Sequence, residues 1–224
     1  MFFYKNLLLL LICVCTVFIN TYAQTDSLSI YEDDERIATP DPDPDTKVGI
    51  KMGIMLSGIY GTENSNSIAT FGLNGGGYLR QKLTPKSWLQ TELFISFRGS
   101  NFKAVTQEYE KIRLLYIDLP VLYMRAFKNT ENKWFAGVQS SYMVNQNMYL
   151  AGQQLPLSAG LNLNKLDILP VLGYQYQMTF LAFQTCVKYG LMNINSGKAW
   201  PQSARPMNSG GTMHNAILEL NLIF

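Results

Sequence analysis

Histidine, cysteine and charge are all scarce in this chain. Of its 224 residues, one is histidine, three are cysteine and 15% are charged, against about a quarter charged in ordinary soluble domains. A single histidine, His214, excludes a zinc site built from several histidines and leaves a His-based catalytic relay no spare parts. Cys13 and Cys15 lie in the apolar N-terminal stretch, so Cys186 is alone in the body. A lone thiol closes no internal disulfide, and cohesion must come from packing, hydrogen bonding or a membrane. Beyond the N-terminus no segment reads as a spanning helix of ~18 or more apolar residues. What is abundant is apolar and small: 47% hydrophobic residues, 17 Gly, 13 Tyr and 12 Phe, at a mean hydropathy of zero. That content is ample for the core of one domain and excludes a disordered or collagenous chain.

The N-terminus reads as an address. Lys5 is followed by an apolar stretch from Leu7 to Ile19, and then by Asn20, Thr21, Tyr22 and Ala23. This is the three-part layout of a secretory signal peptide over residues 1–23, with cleavage expected between Ala23 and Gln24. The apolar stretch is too short for a membrane anchor. Cys13 and Cys15 sit inside it rather than after it, which speaks against a lipoprotein.

Residues 24–46 form a distinct segment ending in alternating Pro and Asp, from Thr39 to Thr46. That alternation favours extended polyproline geometry, so a semi-rigid periplasmic tail is expected. The segment carries eight acids against Arg36, and the body over 47–224 is left with 16 Lys and Arg against 8 Asp and Glu. Those cations are dispersed and cluster on no expected helix, which argues against nucleic acid. Anionic lipid head groups are the simpler attraction.

From Lys47 the dominant period is two. Val48, Ile50, Met52, Ile54 and Leu56 alternate with Lys51, Gly53, Met55 and Ser57, and seven further segments repeat the pattern. Sustained alternation is a strand signal that helical spacing fits poorly. With the N-terminus on one side, connections after strands two, four and six are short, near Lys82–Lys86, Lys128–Asn132 and Gln177–Thr179. Those after the odd strands are mostly longer, 146–165 and 194–212 being the extremes. An even strand number, short turns on the terminal side and long polar loops opposite is the layout of an outer-membrane barrel.

The expected fold is therefore all-β, an eight-stranded antiparallel up-and-down transmembrane β-barrel over 47–224. Its N-terminus would be periplasmic and its long loops extracellular, in the outer membrane of a Gram-negative bacterium. A soluble lipocalin-like ligand-binding barrel would alternate similarly, but with a charged outer face. Strands of about 9–12 residues are expected, near what a tilted strand needs to cross a bilayer. Trp88, Tyr123, Trp134, Tyr142 and Tyr189 would form interfacial girdles. Pro120 and Pro170 each delete a ladder donor and predict a bulge or irregular pairing. Gly75-Gly76-Gly77 lacks a following helix, so close packing or barrel bending explains it better than a phosphate cradle.

Four segments carry a resemblance: Gly72–Leu79 (GLNGGGYL), Leu89–Phe94 (LQTELF), Tyr116–Tyr123 (YIDLPVLY) and Tyr189–Ile194 (YGLMNI). They are similar to the PorT-like outer-membrane β-barrel family of Bacteroidota. Asp118 stands where the family usually has Glu, and Met192 where Thr is common. The resemblance implies an outer-membrane barrel and, for the protein that names the family, a part in type IX protein secretion. Secretion-system proteins are then implied partners, besides outer-membrane lipid and the barrel-assembly machinery.

Parity places Lys51, Arg80, Glu92, Arg98, Asp118, Lys188 and Glu219 inside the barrel. Eight strands leave room for side chains and not for an open channel, so these charges should fill the lumen as a paired network. A gated path for small solutes, as in a porin, is the alternative. No catalytic, cofactor or metal site is expected. His214, near Ser209 and Thr212, reads as a rim residue rather than a catalytic one, and Met143, Met148, Met207 and Met213 show no copper-like spacing. Phe224 ends an apolar alternating strand and resembles the C-terminal signal read during barrel assembly.

Overall fold

The computed structural model describes residues 46–61, 67–103, 109–127, 132–150, 153–154, 163–178, 180–195 and 211–224. The expected signal peptide with its expected Ala23–Gln24 junction, the acidic segment up to Asp45, and Met207 and Ser209 lie outside the described residues, as does the side chain of Met148.

Among the described residues, eight main strands run in chain order: β1 (Thr46–Tyr60), β2 (Ser67–Thr84), β3 (Ser87–Lys103), β4 (Tyr109–Ala126), β5 (Lys133–Leu150), β6 (Leu166–Gln177), β7 (Ala182–Tyr189) and β8 (His214–Ile223). Each pairs antiparallel with the next. Lys51↔Ile223 through Tyr60↔His214 joins β1 to β8, so the sheet closes on itself. Gln153 and Gln154 add a two-residue pairing to the end of β5. Closure leaves no edge strand, which is the condition for placing a sheet in lipid.

The period of two in the sequence becomes two faces. Val48, Ile50, Phe71, Leu73, Ile95, Phe97, Leu172 and Leu218 are all exposed on the outside. Their alternating partners, Lys51, Arg80, Glu92 and Arg98 among them, are buried. This inverts the usual soluble arrangement and fits a lipid-facing exterior.

Two expectations need correction. The strands β2 to β5 are 17–18 residues long rather than 9–12, because their ladders continue past the apolar band. Trp88 is no girdle residue: it is buried with Leu122, Met124, Phe135, Val171 and Cys186, and Lys133 lies over its ring. Its parity is that of Gln90 and Glu92, which are also buried. Tyr123 and Trp134 do meet near the short-turn end, at 5.9 Å between ring centroids, and Tyr189 stacks on His214 at the opposite end.

The prolines interrupt ladders without shifting them. Between β3 and β4, pairing lapses from Thr91↔Val121 to Phe94↔Asp118 in unchanged register. The β6–β7 ladder starts at Val171↔Lys188, one step past Pro170, and resumes beyond it where the Leu191 amide donates to the Ile168 carbonyl. A missing donor removes a rung, whereas a bulge needs an extra residue. The register shifts fall elsewhere, between Ala69 and Leu73, between Lys82 and Thr84, and between Leu115 and Tyr116.

Within the glycine triplet, the three positions differ. A Cβ on Gly76 would lie 1.9 Å from the Leu93 carbonyl oxygen, whereas one on Gly75 would meet nothing closer than 3.9 Å. Of the three, only the central glycine is required by the close approach of β2 to β3.

Candidate functional site: the polar lumen

Every strand sends at least one polar side chain inward, and inside an eight-stranded barrel they must satisfy one another. One chain of hydrogen bonds begins near the short turns. Gln175 Nε2 donates to Gln177 Oε1 at 3.0 Å, and Arg80 Nη2 donates to Gln175 Oε1 at 2.8 Å. Arg80 Nε reaches Gln90 Oε1 at 2.7 Å, and Gln90 donates to Glu92. Lys51 Nζ completes the chain, 2.7 Å from Glu92 Oε2 and 2.7 Å from Gln184 Oε1.

A second chain joins side chains of β3, β4, β5, β7 and β8. Arg98 pairs with Asp118, which also accepts from Ser96 Oγ at 2.7 Å. Arg98 Nη2 and Gln139 Nε2 both donate to Ser141 Oγ, at 3.3 and 2.9 Å. Lys188 Nζ then links Gln139 Oε1 at 2.8 Å to Glu219 Oε1 at 2.6 Å. Asn221 Nδ2 and Cys186 Sγ donate to the other oxygen of Glu219, at 3.3 and 3.5 Å.

All seven charges picked by parity are therefore in this lumen, each at most 7% exposed, and three ion pairs join six of them. Arg80 bonds to the amides of Gln90 and Gln175. Aromatic faces supplement the pairs: Lys51 lies over Phe94, Arg80 over Tyr78 and Arg98 over Tyr116. Buried ions lose hydration worth several kcal/mol each, and only such dense partnering offsets that loss.

Two lumen charges escaped the parity reading. Lys133 and Asp167 are both buried, each one residue before the expected start of its strand, at Trp134 and Ile168. Asp167 Oδ2 accepts from Asn215 Nδ2 at 2.7 Å. Extending the alternation by one residue would have found both.

The long-loop end of the lumen holds an apolar cluster. Ile59, Ile112, Leu114, Tyr116, Met143, Leu163, Ile194 and Met213 form one cluster, each at most 5% exposed. Met143 and Met213 thus serve as packing. His214 faces outward at this rim, its Nδ1 3.0 Å from the Gly190 carbonyl oxygen. Cys186 is a buried free thiol. Among the described residues, no group of three or more His, Cys, Asp and Glu is arranged to hold a metal ion.

A closed antiparallel barrel with an apolar exterior and a paired polar interior defines a β-barrel membrane protein of the outer-membrane type. The chain belongs to the outer membrane protein beta-barrel domain family, whose model matches residues 33–196, and its place is accordingly the outer membrane. The match starts inside the acidic segment and ends before β8. Among solved structures the chain is similar to Neisserial surface protein A, at 8% identity and a TM-score of 0.48, covering 80% of this chain and 97% of that one. It is also similar to Ail, the attachment invasion locus protein of Yersinia pestis, solved with the heparin analogue sucrose octasulfate. That likeness has 9% identity and a TM-score of 0.41, covering 81% of this chain and all of the other. No curated protein matches the chain.

Proposed function

We propose that this protein is a non-conducting, non-enzymatic outer-membrane anchor that works through the segments outside its barrel, as an accessory of a protein-secretion or transport assembly. The observation that carries the reading is the filled lumen. Two hydrogen-bonded chains occupy it, and the apolar cluster around Ile112 and Ile194 packs at its long-loop end. An interior so occupied offers solute no passage, and work then falls to what lies beyond the strands. In this reading the N-terminus is periplasmic, the long connections are extracellular, and Gln24 is the first residue after processing.

The secretion role draws on the four segments similar to the PorT-like family. Its test is chemical cross-linking in native outer membranes followed by co-purification. Recovery of secretion components with the barrel, together with impaired cargo export in a deletion strain, supports the role. Export unchanged by the deletion overturns it. Planar-bilayer recording tests the non-conducting reading separately: stable single-channel steps from the purified barrel would make it a porin instead.

A further inference from the structure

We infer that the outer surface at the long-loop rim carries a binding site for the phosphate of a membrane lipid, centred on Arg113. Half-buried Arg113 shares the parity of half-buried Leu115 and exposed Ile117 on β4, the parity that turns outward on this strand. It reaches across β3 and donates from Nη1 to Thr70 Oγ1 on β2 at 3.0 Å. Gly99 makes that path possible, since a Cβ there would already stand 3.2 Å from the guanidinium nitrogen. Among the described residues, no carboxylate forms an ion pair with Arg113.

The surroundings divide as a lipid does. A crevice of about 280 Å³ runs beside Arg113, walled by Phe71, Leu73, Phe97 and Leu115. Phe71 is 75% exposed, the most outward of these. Asn145 and Asn147 also line the crevice, and exposed Lys111 lies two residues before Arg113 on β4. The two bulges create the division. The shift between Ala69 and Leu73 loosens the β2–β3 ladder over the crevice. The shift at Leu115/Tyr116 pairs Asn145 with Leu115 and turns its side chain outward, next to Val144. A cation at the edge of an apolar band is charge-complementary to a lipid phosphate, with acyl chains lying along the phenylalanines below.

The test uses the full-length folded barrel in dodecyl maltoside, titrated with bisphosphorylated lipid A or with phosphatidylcholine and read by native mass spectrometry. Wild type should bind lipid A in preference to phosphatidylcholine. Arg113→Gln should lower lipid A occupancy about tenfold, the loss of one charge-assisted contact. Arg113→Lys should keep most of it, and Arg125→Gln, at the opposite rim, should change nothing. Heat-modifiable migration on gels verifies that each variant is folded. Equal binding of both lipids, equal losses from Arg113→Gln and Arg125→Gln, or displacement of lipid A by inorganic phosphate alone would overturn the proposal.

Discussion

Lys188 and Glu219 meet across the lumen face of β7 and β8, with Nζ 2.6 Å from Oε1 and both side chains at most 6% exposed. They are not a paired rung, since Lys188 sits opposite Ile217 and Cys186 opposite Glu219. The contact is diagonal, and the two flanking partners, Gln139 and Asn221, hold it from either side.

Glu219→Ala leaves the Lys188 ammonium buried with only an amide beside it. Breaking one side of such a pair costs about 3–5 kcal/mol. Urea unfolding of the barrel in detergent should show a correspondingly lower midpoint. The double variant Lys188→Met, Glu219→Leu should lose much less than the two single losses combined, because no uncompensated charge remains.

The glycine triplet gives a sharper contrast. Gly76→Ala forces a methyl into the Leu93 carbonyl and Gly75→Ala does not. The first should cost roughly 1–3 kcal/mol as overpacking, and the second should be close to neutral. Unfolding midpoints of both variants, measured side by side, decide the matter. Similar losses would mean that the approach of β2 to β3 is not what demands glycine.

Phe224 combines a side chain and a rung. Its amide donates to the Ile50 carbonyl at 2.9 Å, its carbonyl accepts from the Ile50 amide at 3.3 Å, and its ring is exposed outward. Deleting Phe224 should reduce insertion into outer membranes, read as loss of the heat-modifiable band. Phe224→Ala keeps the rung and removes the ring. If the ring is the assembly signal, the two variants should fail alike.

Cys186 reports on the lumen. It is buried and hydrogen-bonded to Glu219, so a maleimide reagent should leave it unmodified in the folded barrel and label it fully after unfolding. Labelling of the folded form would indicate that the interior admits reagent, contrary to a filled lumen.

How much of this was legible beforehand follows from the range over which each signal acts. Side-chain alternation is local, so the strand faces and the inward position of Lys51, Arg98 and Glu219 could be read from neighbouring residues alone. The same rule, extended by one residue, would have caught Lys133 and Asp167, and applied consistently would have sent Trp88 inward. The pairing of charges is different. Arg80 with Gln175 and Lys51 with Gln184 are separated by 95 and 133 positions, and no local pattern specifies which partner stands across a closed barrel.

The scarcity of charge, the period of two and the alternation of short and long connections were in the sequence by itself, because pleating alone assigns successive residues to opposite faces. The tertiary structure decided the rest: register shifts away from the prolines, the apolar cluster at the long-loop end, and Arg113 laid over Gly99. These depend on how eight strands stagger when they close, a condition imposed on the whole sheet rather than on any one segment.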